Sequence, residues 1–159
     1  LKTIKMRLSE NFYLSEFTKS STAKRLGIEN EPDISHVFNI KQLADNLLQP
    51  IRNKIGAIRI TSGYRNPELS VAIGSSESSQ HCKGQAVDVQ YHIDGTMQNK
   101  ILFDAIIKHG DFDQLIEEFN FSWIHVSYNN KRNRKQVLKA IKENNKTKYI
   151  DITNQFASL

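Results

Sequence analysis

The chain has a single cysteine, Cys82, among its 159 residues. One cysteine excludes an internal disulfide framework and any multi-cysteine zinc site, so a bound metal would have to rest on histidine and carboxylate side chains. No stretch of about 18 apolar residues is present to span a bilayer. The N-terminal stretch also lacks the basic-then-apolar pattern of a secretory signal. With three prolines and seven glycines, the chain has neither a collagen-like nor a low-complexity composition. No internal repeat is evident.

What remains is the make-up of an ordinary globular protein, 38% hydrophobic and 25% charged. The length predicts one domain over residues 1–159, large enough to bury its own core, and a monomer. The formal charge of +5 favours anionic partners: nucleic acid, a membrane surface or an anionic cell wall. Much of the excess lies in KRNRKQVLKAIKENNKTK, residues 131–148, read as a solvated helix face. Without interleaved aromatics or a recognition-helix signature, no nucleic-acid partner is expected.

Hydrophobic spacing sets out the elements. LSENFYLSEFTKS predicts a short capped turn with Phe12 and Phe17 inward. Residues 34–55 place Phe38, Ile40, Leu43, Leu47, Leu48 and Ile51 at helical spacing, with Pro50 kinking or restarting the helix. AIRITSGYR alternates as a strand and runs into a turn that leaves Arg65 just beyond the strand end. PELSVAIG reads as a short helix, and QAVDVQYHI as a second strand carrying Asp88. Residues 96–110 predict a helix with Met97, Ile101, Leu102, Ala105 and Ile106 on one face and Gly110 as its stop. A hairpin follows in FDQLIEEFNFSWIHVSY, then a C-terminal segment, 139–159, of basic helix and the edge strand KYIDI. Helices around a small, largely antiparallel sheet make the class α+β.

The chemistry gathers at three places. SQHCKGQAVD sets His81 seven residues before Asp88, and period-two alternation in WIHVSY sends Trp123, His125 and Ser127 to the face opposite Ile124, Val126 and Tyr128. If strand 113–119 pairs with 123–128 so that Leu115 and Phe119 share the core face, then Gln114, Ile116 and Glu118 share the His125 face, with Glu118 opposite His125. A one-residue slip would substitute Glu117. Two histidines and one carboxylate form a catalytic type of zinc site, with a fourth position left for water. Zinc lowers the pKa of bound water towards about 7 and polarises a carbonyl, which suits hydrolysis. Glu118 fits the general base, and Arg65 fits an anionic substrate group or a developing oxyanion. Gln80 and Ser79 are candidate loop-shaping and substrate-binding residues. Cys82 should point away from its neighbour His81, and His36, His92 and His109 read as surface or capping residues.

SGYR (62–65), SQHCKGQAVD (79–88) and WIHVSY (123–128), in that order, together resemble the M15 family of zinc D-Ala-D-Ala carboxypeptidases and related phage and bacterial murein peptidases. The likeness runs over roughly residues 7–138. It implies a Hedgehog/DD-peptidase fold, one zinc ion on His81, Asp88 and His125, a substrate- or transition-state-binding Arg65, and a peptidoglycan peptide substrate. A bacteriophage or bacterial source fits that substrate, with cytoplasmic synthesis and action at the cell wall or periplasmic action after processing. Relatives place an acidic or histidine base three to five positions before the last ligand. This chain has Asn120, Phe121 and Ser122 there, which leaves Glu118, with Glu117 as the fallback, for the role.

Overall fold

A computed structural model describes residues 5–158. Six strands lie in the order β1-β2-β5-β4-β6-β7: β1 Ile58–Ser62, β2 Ala86–Ile93, β4 Gln114–Glu118, β5 Trp123–Ser127, β6 Gln136–Glu143 and β7 Lys146–Asp151. The short β3, Thr96–Met97, pairs with β2 and completes a seven-stranded sheet. Neighbours are antiparallel except β4 and β6, which run parallel. The class is α+β, as the sequence predicts.

Alternation along the strands sorts the two faces. Val87, Val89, Ile124, Val126, Leu115 and Val137 point into a core closed by Leu43, Leu47, Leu48 and Ile51 and by Leu102 and Ile106. The first group of these comes from α3, Ile34–Leu43, a π-helical turn, Ala44–Leu48, and α4, Gln49–Ile55; the second comes from α6, Asn99–His109, which follows the short α5, Pro67–Ala72, in the chain. Pro50 restarts the long helix. A proline lacks the N–H and its ring strikes the carbonyl four residues back, and the wider π turn immediately before it accommodates both. The N-terminal arm holds α1, Leu14–Thr18, and α2, Ser21–Leu26, and buries Phe12 and Phe17 edge to face.

Four expectations are corrected. Phe38 is exposed, on the outer side of α3. Met97 lies in β3 rather than on the helix, and Met97 and Ile101 are both exposed; Phe103 takes the buried place in α6 beside Leu102, Ala105 and Ile106. The basic segment is a β-hairpin and not a helix: β6 and β7 are joined by Asn144 and Asn145, both left-handed at φ 51° and 60°, the backbone of a two-residue type I′ turn. The hairpin register also slips by two. Ile116 faces His125 and Glu118 faces Trp123, and the connection is 119–122 with Phe119, Asn120 and Phe121 all at positive φ. Phe119 therefore leaves the core face. Such a run is strained for aromatic residues. It is held by Glu117 Oε1, which accepts from the Phe121 amide at 2.9 Å, and by Asn99, which donates to the Phe121 carbonyl at 2.8 Å.

A local feature fixes the arm to the sheet. The Tyr64 amide donates to Phe17 O at 2.7 Å, and the buried Asn30 donates to both Thr18 O and Tyr64 O. Gly63 permits this approach, because a Cβ there would lie 2.4 Å from Phe17 O. Gly63→Ala is therefore expected to push the arm off β1 and to destabilise the protein by about 1–3 kcal/mol, read as a lower urea midpoint.

Candidate metal centre

The pairing of β2 with β5 sets Asp88 directly opposite His125, and β1 adds Ser62 on the other side of Asp88. A register shift between Ile60 and Ser62 re-aims the end of β1 as bulges do, so the chain turns over the cluster and delivers Arg65. His81 comes from a 3₁₀ turn, Gln80–Lys83, capped by Ser79, whose Oγ accepts from the His81 amide, and ended by Gly84 at φ 69°. A side chain at Gly84 would collide with His36 O at 2.6 Å, which accounts for the glycine in the SQHCKGQAVD stretch.

His81, Asp88 and His125 each offer a ligand atom, and these atoms all lie within 4.8 Å of one another. His81 Nδ1 is 2.7 Å from the Gly63 carbonyl. A carbonyl only accepts, so Nδ1 carries the proton and Nε2 turns its lone pair to the cluster, the orientation that metal-ligating histidines take from an outer partner. Nδ1 of His125 lies 3.1 Å from Asp88 Oδ1 and 3.3 Å from His81 Nε2. Burial pushes His81 below the usual imidazole value, with Asp88 opposing and His125 and Arg65 reinforcing the shift, so this imidazole is neutral as a metal ligand must be. Burial opposes ionisation of Asp88, yet the charge and hydrogen bonds of the two histidines hold its carboxyl well below the usual carboxylate range. Two imidazoles and an ionised carboxylate fit a divalent cation of the zinc type.

The other predicted site residues surround this cluster. Nη2 of Arg65 donates to Asp88 Oδ2 at 2.9 Å and lies 3.2 Å from His81 Nε2, while its Nε donates to Ser62 Oγ at 3.0 Å. Glu118 lines the same ≈ 570 Å³ cleft, together with Ser79, Gln80, Gln114, Ile116, Trp123 and His125. Burial pushes Glu118 up to about 7; His125 pulls it back, and Asp88 and Glu117 add to the rise. Glu117 points the other way. It is 2% exposed and anchors the 119–122 connection, so it does not share the cleft. Gln80 donates to Asp113 Oδ2 at 2.9 Å, and Arg134 grips the same carboxylate through Nε and Nη2. The Cys82 thiol is turned to Ser76 O and away from the cluster.

Sequence reasoning missed the far wall of the cleft, where Leu138, Lys142, Thr147 and Tyr149 come from the β6–β7 hairpin. The available signal was Asn144-Asn145, a two-residue turn pair between alternating segments.

A cleft whose floor presents two imidazoles and a carboxylate, with a glutamic acid whose carboxyl burial raises beside them, has the layout of a hydrolytic metal centre. The family model of peptidase M15 matches residues 10–127, a span that includes Arg65, His81, Asp88, Glu118 and His125, and the chain belongs to that family. The whole chain also aligns, at 25% identity over 189 residues, with the Putative peptide biosynthesis protein YydG of Bacillus subtilis (strain 168). It spans 57% of that relative's length.

Two outcomes follow. His81→Ala and His125→Ala should each abolish stoichiometric metal retention in elemental analysis, while the fold, read by circular dichroism, persists. The pH dependence of stability carries the sign of Glu118. Its folded value of about 7 stands above the ordinary 4.5, so the folded state holds the extra proton between those values and stability drains away as pH rises through them. Glu118→Gln in chelator-treated protein should thus gain stability over the parent at pH 8, on the order of 1–3 kcal/mol, and lose that advantage near pH 5.

Proposed function

We propose that the protein is a zinc metallopeptidase that hydrolyses peptide bonds in peptidoglycan stem peptides, as a D-Ala-D-Ala carboxypeptidase or as a murein endopeptidase of the lysin type. The observation that carries the reading is the convergence of His81, Asp88 and His125 within one cleft with Glu118 on its wall. We propose further that residues 1–159 form one monomeric domain on a Hedgehog/DD-peptidase-like fold.

In this reading His81 Nε2, Asp88 and His125 Nδ1 hold the ion. Zinc so held supplies Lewis acidity to a carbonyl oxygen and lowers the pKa of bound water towards about 7. The chain's own residues do the rest. Glu118, on the wall of the same cleft, would accept a proton from the attacking water as general base and return it to the leaving amine. Arg65 is braced by Ser62 and Asp88, so its guanidinium is a fixed cation towards which a substrate carbonyl or carboxylate oxygen can turn without reorganisation cost. Gln80, held by Asp113 through its amide nitrogen, presents its oxygen as an acceptor for a substrate N–H, and Ser79 shapes the loop between them.

A second reading, a zinc-containing module that binds cell wall or protein without cleaving it, is favoured by one observation. Asn120, Phe121 and Ser122 stand where relatives carry their base.

Mass spectrometry of purified murein incubated with protein and zinc separates the two readings. Chelator-sensitive release of D-Ala or of new amino groups is expected, and metal binding without any release would establish the binding module. Glu118→Gln should keep its zinc and lose turnover by a factor of about 10² to 10⁴. Unchanged turnover would remove Glu118 from the role.

A further inference from the structure

Gln80, the residue before His81, reaches a carboxylate that gathers four donors. That carboxylate belongs to Asp113, which is 3% exposed. Its Oδ1 accepts from the Arg134 backbone amide at 3.0 Å and from Arg134 Nε at 2.9 Å; its Oδ2 accepts from Arg134 Nη2 at 2.7 Å and from Gln80 Nε2 at 2.9 Å. Burial opposes the charge of Asp113, yet the bonds from Arg134 and Gln80 hold its carboxyl below the usual carboxylate range. Both oxygens therefore only accept.

The direction of Gln80 follows. A side-chain amide has a donor end and an acceptor end, and an ionised carboxylate takes only the donor end. Nε2 is thus held at Asp113, and Oε1 is the end left for the cleft that Gln80 shares with His81, Asp88 and His125. A neutral amide at position 113 could join the same segments, but it would leave the Gln80 amide free to turn over. Burying a charge is the costlier arrangement unless it is well paired, and Arg134 supplies that pairing in a bidentate grip. What the charge adds over a neutral partner is direction. Arg134 lies between β5 and β6, beyond the 10–127 match to the family model.

We infer that Asp113, gripped by Arg134, is a positioning residue that fixes Gln80 with its oxygen towards the substrate, so that the cleft selects a backbone N–H beside the metal cluster and rejects a substrate with an ester oxygen there. The inference rests on the metallopeptidase reading for the identity of the substrate. An ester oxygen set against Oε1 leaves two acceptors facing each other with no proton between them.

Binding to zinc-loaded Glu118→Gln protein tests this apart from turnover. The probes are a synthetic stem peptide ending in D-Ala-D-Ala and analogues in which each backbone N–H in turn is replaced by an ester oxygen, all titrated calorimetrically. One analogue should bind about tenfold more weakly than the all-amide peptide. Adding Asp113→Asn, which frees the Gln80 amide to turn over, should abolish that discrimination with zinc content unchanged, and adding Gln80→Met instead should abolish it too. Combining Asp113→Asn with Gln80→Glu should restore it, because the new carboxylate takes the asparagine N–H with one oxygen and presents the other. Equal binding of every analogue, discrimination that survives either single change, a combined variant that stays indiscriminate, or no binding of the stem peptide would overturn the inference. Discrimination with a stem peptide that zinc-loaded protein leaves uncut when Glu118 is intact would keep the role of Asp113 and remove the hydrolase reading. Cleavage of the stem peptide with no analogue discriminated would do the reverse.

Discussion

The antiparallel pairing of β2 with β5 is the constraint on which the candidate site depends. It places Asp88 opposite His125 on the sheet face turned away from the core, while Val87, Val89, Ile124 and Val126 on the other face are fully buried. A one-residue slip would turn that aliphatic set out to solvent and the imidazole and carboxylate in. The core therefore enforces the register that the site needs, and hydrophobic burial fixes the spacing of groups that would otherwise resist being brought together.

The third member of the cluster is held differently. His81 is not on a strand, and its position follows from a cap by Ser79, a left-handed Gly84 and a bond from Nδ1 to Gly63 O. Gly63 in turn sits against the Phe17 backbone. The N-terminal arm, the turn after β1 and the loop before β2 are thus linked, and a change in the arm reaches the imidazole through backbone atoms. The Arg65 amide also donates to the His81 carbonyl at 3.3 Å, so the SGYR and SQHCKGQAVD motifs meet through their main chains.

Much of this was legible in the sequence because strands and helices that bury one face announce themselves by period. Alternation in QAVDVQYHI and WIHVSY, with the two motifs that flank them, was enough to place His81, Asp88, His125, Arg65 and Glu118 around one cleft. What escaped is equally physical. The hairpin register depended on a connection in which Phe119, Asn120 and Phe121 adopt positive φ, a conformation that residue type disfavours and that bonds from distant side chains such as Asn99 help to hold. The C-terminal hairpin escaped because its lysines obscured an alternating pattern and its Asn144-Asn145 turn was not weighed. Phe38, Met97 and Ile101 were misplaced because helical spacing alone does not say how wide an apolar stripe is, or where a helix begins.

The parallel pairing of β4 with β6 bears on where this protein can be cut. The match to the peptidase family model ends at residue 127, the last residue of β5, yet the strand that carries Glu118 has its outer hydrogen-bonding edge covered by residues 136–140. A fragment trimmed to the homologous segment would leave the β4 edge bare, and an uncovered edge is a template for pairing with other chains. The extent of the family match therefore does not mark a self-contained sheet: β6, paired on its far side with β7, is the strand that closes the β4 edge.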